Sequence, residues 1–375
     1  MKITVLSEVI KTEDRVGLTP SVIKKIVSQG VDVCIQSGCG ARAGFADSEY
    51  EEAGAKISRT IKDAVSNADI IITVRRPNKD QLEHVQKSTI LIGLMDPYGN
   101  RDDLQSLAKN GCKIFSMELM PRISRAQSMD VLSSQSNLSG YKAVIDAAAT
   151  YGRALPMMMT AAGTIPPARA FIMGAGVAGL QAIATARRMG AIVTATDVRP
   201  ASKEQVESLG AKFVAVEDDE FKAAETSGGY AKEMSDEYKN KQQNLVAEHI
   251  AKQDIVITTA LIPGRKAPIL ITKKMIDSMR KGSVIADLAI ERGGNVEMSR
   301  VGKIEDYNGV SIIGYENFAA RLPADSSNLY SQNIYNFLGE IINYTDKRLE
   351  IKSDDEIILG TLIADESKLV HKMYN

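Results

Sequence analysis

Gly174, Gly176 and Gly179 stand in the spacing G-x-G-x-x-G, between an apolar run ending at Met173 and an apolar stretch that opens with Val177 and Ala178. Glycines so spaced suit a phosphate-bearing ligand. The first permits a tight turn, the second lets backbone approach a pyrophosphate, and the third lets a helix pack closely on a strand. The helix that follows would turn unpaired N–H groups and the positive end of its dipole toward that anion. Asp197 closes the next strand-like run, near the ~20-residue offset at which a carboxylate bonds the adenosine ribose hydroxyls of a dinucleotide and repels a 2′-phosphate. This pattern points to NAD(H). Val198 and Arg199 follow Asp197, and the arginine leaves some tolerance for a phosphate.

A hydride-carrying cofactor needs an acceptor. A dehydrogenase acting on an alcohol or amine also needs a proton-handling side chain beside it, and such residues are scarce here. His84, His249 and His371 are scattered, and with Cys34, Cys39 and Cys112 they form no ligand cluster, so no metal is expected. The polar stretch 121–137 carries Arg122, Gln127, Asp130 and Ser133. Arg122 and Asp130 can pair and stiffen a loop, Gln127 both donates and accepts, and Ser133 can bond a carboxamide; a bland surface loop is the other reading of the same residues. "SGGYAKEM" (227–234) places Gly229 before Tyr230, either a hinged aromatic lid or a plain exposed loop. Thr259, Ala260 and Leu261, with Ile262 and Pro263, lie at the end of another strand-like run, where turns line a cofactor crevice. Glu291, in "DLAIERGGN" (287–295), fits crevice lining and a solvated carboxylate equally well.

The elements that must position these residues read as strands alternating with helices. "KITVLSE", "VDVCIQSG", "DIIITV", "STILIGL" and "KIFSMEL" give a first series, and "DSEYEEAGA" (47–55) opens a helix with an Asp cap. "LSGYKAVIDAAATYGRA" (138–154) is a helix, and 147–166 reads as buried helix followed by a turn. A second strand series runs from "ARAFIMGAG" (168–176) to "GVSIIGY" (309–315), interrupted by the charged segment 218–243, part of which suits a flap. The tail is helical after 322 and ends in strand-like "LEIK" and "EIILGTLI", too short for a third domain. The expected architecture is α/β: two Rossmann-like domains with mostly parallel sheets and a cleft between them. Residues 1–132 plus 323–375 form the first domain, and 133–322 the nucleotide-binding one.

The chain has 375 residues and a net charge of -1, so nothing pulls it toward nucleic acid. No apolar run reaches the ~18–20 residues of a membrane span. Few cysteines and no signal-peptide pattern before Lys2 point to the cytosol.

Longer stretches carry a resemblance. "MELMPRISRAQSMDVLSSQSNLSGYKAVIDAA", "PMMMTAAGTIPPARAFIMGAGVAGLQAIATARRMGAIVTATDVRPASKEQVESLGAKF", "AAETSGGYAKEMSDE" and "ITTALIPGRKAPILIT" closely resemble the NAD(H)-binding component of proton-translocating NAD(P) transhydrogenase, within the superfamily that includes alanine dehydrogenase. The resemblance covers essentially the whole chain. It implies that Arg122, Gln127 and Asp130 hold the nicotinamide end of NAD(H) and present it to NADP(H) on a partner subunit, with Gln127 reaching toward that nucleotide. It implies that Ser133 bonds the carboxamide, that Tyr230 tips a mobile loop, and that Gly174, Gly176, Gly179 and Asp197 hold pyrophosphate and ribose. It further implies a homodimer docked on membrane-embedded partner subunits, cytoplasmic and peripheral on the inner face of the plasma membrane. Proton movement would occur in those partners.

Alanine dehydrogenase is similar in pattern, including "EDRVGLTP" (13–20), so Arg15 does not separate the two. Its pattern carries Lys-Glu-Pro where this chain has Arg75, Arg76 and Pro77, and a histidine where "LIGLMDPYGN" (91–100) has Met95 and Asp96. Arginine is no base near neutral pH. Hydride exchange between two nicotinamides moves no substrate proton and needs no such base.

Overall fold

The computed structural model describes residues 1–99, 101–224 and 234–374. The chain divides into two compact units, Met1–Gln135 with Ala319–Asn375, and Ser136–Phe318. Gly229 and Tyr230 lie outside the described residues.

The first unit is built on a sheet whose strands follow the spatial order Lys56–Ser58, Asp32–Gln36, Lys2–Val5, Ile70–Arg75, Ile90–Leu94, Lys113–Ser116, Leu362–Asp365, Lys368–Leu369. The first six are parallel, in the doubly wound order 3-2-1-4-5-6. The last two form an antiparallel hairpin from the chain's end, added to Lys113–Ser116. "IIITV" and "ILIGL" form strands because unbroken apolar runs suit a parallel sheet buried on both faces. On one face Ile72, Ile92 and Phe115 pack against Tyr330, Ile334 and Phe337 of the helix Pro323–Ile341, with the Phe115 and Phe337 rings edge-on at 5.4 Å. On the other, Ile71, Leu91 and Ile114 meet Leu104 and Leu107.

The second unit repeats the winding. Its sheet runs Lys212–Phe213, Ile192–Thr196, Arg169–Met173, Ile255–Thr258, Val284–Asp287, Val310–Gly314, Lys303–Tyr307, all parallel except the last. The winding reverses between Arg169–Met173 and Ile255–Thr258. In open α/β sheets ligands bind beyond the carboxyl ends of the strands at such a reversal.

Several local expectations are corrected. Asp47 is the first helical residue of Asp47–Glu52 and not its cap; Glu49 bonds the Ala46 N–H, while Asp47 accepts from Ser37 and Gly38. The helix read as 138–154 starts earlier, at Val131, because Asp130 caps it. The turn expected near 157–165 is an exposed hairpin, Met158–Thr160 with Gly163–Ile165. "EIILGT" is a helix capped by Asp355, and only Leu362–Asp365 is strand. No helix among the described residues is long and apolar enough to cross a membrane.

Candidate functional site

In the second unit the glycine turn sits at the carboxyl end of Arg169–Met173. Gly174 has φ +106°, a conformation L side chains rarely adopt. A methyl group at Gly179 would lie 1.8 Å from the Gly174 carbonyl oxygen, so helix and turn pack without room for one. A methyl group at Gly176 would meet nothing, which leaves open space beside the backbone where a pyrophosphate would approach. Gly176 is the N-cap of the helix Val177–Arg188 and has no side chain to cap it, so the first-turn N–H groups face a ligand or solvent. Val177, Val198, Leu261 and Ile262 are exposed apolar side chains at the ends of neighbouring strands, and Ala178 is half-buried. These features fit a dinucleotide.

Asp197 follows Ile192–Thr196. Its Oδ2 accepts from the Ala175 N–H at 2.7 Å and Arg199 Nη2 at 3.0 Å; its Oδ1 accepts from the Arg199 N–H and Nε, both at 2.9 Å. Burial pushes this carboxyl up, but the bonds from Arg199 and Ala175 outweigh it and hold the group below the usual carboxylate range.

Two residues of the stretch 287–295, its first and its last, tie the crevice together. The buried amide of Asn295 donates to the carbonyls of Ala260 (2.9 Å) and Pro268 (2.8 Å) and accepts from the Ala260 N–H at 3.0 Å. Asp287, also buried, accepts backbone N–H bonds from Ala289, Asn295 and Val296. Thr259 carries the linkage onward, its hydroxyl donating to the Gly174 carbonyl at 3.1 Å. Three loops at the carboxyl edge are thus bonded in series. A buried Asn must find partners, but those partners are backbone groups of another loop, which residue types do not reveal. Glu291 is exposed on the short turn Ile290–Arg292.

In the first unit, residues 121–135 of that polar stretch are mostly ordered turn and helix. Ser124–Met129 is a 3₁₀ helix whose Ala126 and Met129 are buried. Arg125 bonds Glu340 (2.5 Å) and Asp355 (2.8 Å), and the Ser128 carbonyl accepts from Asn333 and Asn336. Asp130 accepts from the Ser133 N–H at 2.9 Å and the Ser133 hydroxyl at 2.5 Å. That is the N-cap geometry. Arg122 and Gln127 are exposed, while Asp130 and Ser133 are half-buried. The backbone is pinned beneath these exposed side chains. Arg125 was not anticipated, since nothing in its neighbourhood marks it off from other exposed arginines.

The carboxyl edge of the first sheet holds a buried ion network. Arg15 bonds Glu13 through Nε (2.7 Å) and Nη2 (2.6 Å), and Gln135 through Nη1 (2.7 Å); Arg75 Nε reaches Glu13 at 2.8 Å. Burial pushes Glu13 up, but the two guanidinium groups prevail and hold it at about 2. Glu8 accepts from the Val74 and Arg75 N–H groups, yet burial, with the nearby Glu13 charge, raises it to about 7. The facing groups are Glu13, Arg15, Arg75 and Tyr330, whose hydroxyl donates to the Thr73 carbonyl. Glu118 accepts from the Met95 and Asp96 N–H groups and the Ser116 hydroxyl, and burial raises it too. A raised folded pKa means the folded state binds the proton more tightly. Glu8 therefore stabilises the unit below about pH 4.5, and this contribution falls between about 4.5 and 7. Glu8→Gln is expected to flatten the decline in melting temperature across that window; an unchanged profile would remove Glu8 as its source.

His249 is structural, its Nε2 2.8 Å from Thr194 Oγ1 and its ring edge-on to Phe171. No group of three His, Cys, Asp or Glu able to hold a metal occurs among the described residues.

A doubly wound sheet with this glycine turn and a carboxylate at the end of the second strand defines a nucleotide-fold unit. Known proteins narrow the class. The family model described as alanine dehydrogenase/PNT, N-terminal domain, matches residues 4–139, and its C-terminal counterpart matches 143–372. An NAD(P) transhydrogenase alpha-subunit chain of Rhodospirillum rubrum is 49% identical over 99% of this chain and 98% of its own. A crystal structure of transhydrogenase from Sinorhizobium meliloti superposes with a TM-score of 0.90 at 51% identity, covering 99% of this chain and 100% of that one. Alanine dehydrogenase 1 of Staphylococcus aureus is 29% identical over 96% of this chain and 92% of its own. The chain belongs to the alanine dehydrogenase/PNT family of oxidoreductases and, within it, to the NAD(P) transhydrogenase alpha-subunit group.

Proposed function

We propose that the chain is the NAD(H)-binding subunit of a proton-translocating NAD(P) transhydrogenase. Bound NAD(H) supplies a dihydronicotinamide whose C4 hydride passes directly to C4 of NADP⁺ held on a partner subunit, the nicotinamide ring being oxidised and the partner's reduced. The chain's residues bind and aim. Gly174, Gly176, Val177, Ala178 and Gly179 hold the pyrophosphate on the helix N-terminus; Asp197 takes the adenosine ribose, with Val198 and Arg199 beside it; Thr259, Ala260 and Leu261 form a wall. Arg122, Gln127, Asp130 and Ser133 orient the nicotinamide, with Asp130 locking Ser133. A homodimer docks through partner subunits on the inner face of the plasma membrane, where the coupled proton moves.

The observation that carries this reading is the locking of Arg75 onto Glu13. The position where an amino-acid dehydrogenase of this pattern keeps a lysine holds a guanidinium group already committed to a carboxylate. Such a position suits a reaction that exchanges no substrate proton, in which positioning and exclusion of water do the catalysis.

Gln127→Asn tests the aiming role. Shortening an exposed side chain by one methylene on a pinned loop is expected to leave NADH affinity nearly unchanged and to slow hydride exchange by about 100-fold, the loss that a displacement near 1 Å brings. Stopped-flow exchange at the wild-type rate would remove Gln127 from the transfer geometry.

A further inference from the structure

We propose that Arg199 sets the nucleotide selectivity of the site by competing with the ribose for Asp197. The inference rests on reading the Gly174–Asp197 region as the NAD(H) site and goes one step further. A carboxylate offers about four acceptor positions. At Asp197 four donors fill them: the Ala175 N–H, the Arg199 N–H, and Nε and Nη2 of the same arginine. The first two are backbone groups, fixed by the turn. The other two belong to one flexible side chain that is 34% exposed. A ribose diol arriving with two O–H donors finds every acceptor position taken, and only the guanidinium can vacate its share.

Two effects of opposite sign follow. The guanidinium opposes the ribose hydroxyls and so costs NADH affinity. It also neutralises a carboxylate that would repel a 2′-phosphate. Once displaced, it sets a fork of N–H donors matched to phosphate beside the ribose. Arg199 therefore weakens the discrimination that Asp197 alone would impose. The sequence shows an Asp and an Arg two residues apart; the structure shows that they occupy each other.

Fluorescence titrations of the full chain with NADH and with NADPH test this. Arg199→Met is expected to leave NADH binding unchanged or tighten it by up to about fivefold, the ceiling for a partly exposed ion pair. NADPH should bind about tenfold more weakly, so the ratio of the two dissociation constants widens. Arg199→Lys keeps the charge without the fork, and its NADPH affinity should fall between those of wild type and Arg199→Met. Arg199→Met that weakens NADH and spares NADPH would make Arg199 an ordinary NADH contact and overturn the proposal; so would a ratio that does not move. Asp197→Ala separates this from the underlying reading. If it weakens NADH while Arg199→Met leaves the ratio alone, only the competition is wrong. If it changes neither titration, Asp197 is outside the site and the reading itself fails.

Discussion

Gly179→Ala is expected to abolish measurable NADH binding. The added carbon would sit 1.8 Å from the Gly174 carbonyl oxygen and 2.8 Å from its carbon, both backbone atoms that no rotamer can move aside. The turn has little room to retreat. Gly174 is already at φ +106°, its N–H donates to the Thr196 carbonyl at 2.8 Å, and its carbonyl accepts from Thr259. Either the helix Val177–Arg188 shifts outward or the turn is rebuilt, and both take the first-turn N–H groups away from the pyrophosphate. A loss of at least about 100-fold in affinity is expected, since a turn moved by about 1 Å forfeits several hydrogen bonds at about 1 kcal/mol each. Gly176→Ala is the contrast. Its methyl group meets no protein atom, so thermal melting should match wild type while NADH binding falls, the carbon now standing where the ligand approaches. Wild-type NADH affinity in both variants would place the nucleotide elsewhere.

Glu13→Gln is expected to destabilise the first unit by about 3–5 kcal/mol, the cost of leaving a buried guanidinium without its counter-charge. Glu13 is fully buried and serves two arginines. Arg15 is almost as buried, whereas the Arg75 side chain keeps 29% of its exposure and can turn to water, so most of the loss falls on Arg15. Urea unfolding at pH 7 measures it as a lower midpoint at constant slope. A change under about 1 kcal/mol would mean that Gln135 and solvent suffice for Arg15. The acid limb follows from the same pair. Glu13 is held at about 2 when folded, below its ordinary value, so its stabilisation is complete above about pH 4.5 and is lost as pH falls toward 2.

The alternation of strands and helices was legible because parallel strands buried on both faces must be nearly continuous apolar runs, as in "IIITV" and "ILIGL". The glycine turn was legible for a different reason. Its requirement is for backbone freedom and missing carbon, which the residue type itself records. Other features leave no such record. Met158–Thr160 has no alternation of apolar and polar residues, so its hairpin did not stand out. "EIILGT" carries β-branched residues that suggest a strand, but the Asp355 cap and burial of Ile357 and Ile358 make it helical. The start of the helix at Val131 was readable in principle, since Asp130 stands three residues before a Ser that it bonds. Asn295 was not, because its partners Ala260 and Pro268 come from a loop far away in sequence.

In the proposed function, hydride leaves this chain for a second nucleotide without a proton relay. The most direct measurement follows NADH oxidation by the full chain under two conditions: mixed with a transhydrogenase NADP(H)-binding component carrying NADP⁺, and given pyruvate with ammonium. Hydride exchange is expected in the first, at a transfer rate that varies little between about pH 6 and pH 9, and no oxidation in the second. Oxidation that depends on pyruvate and ammonium, with a bell-shaped pH profile and silence toward NADP⁺, would contradict it.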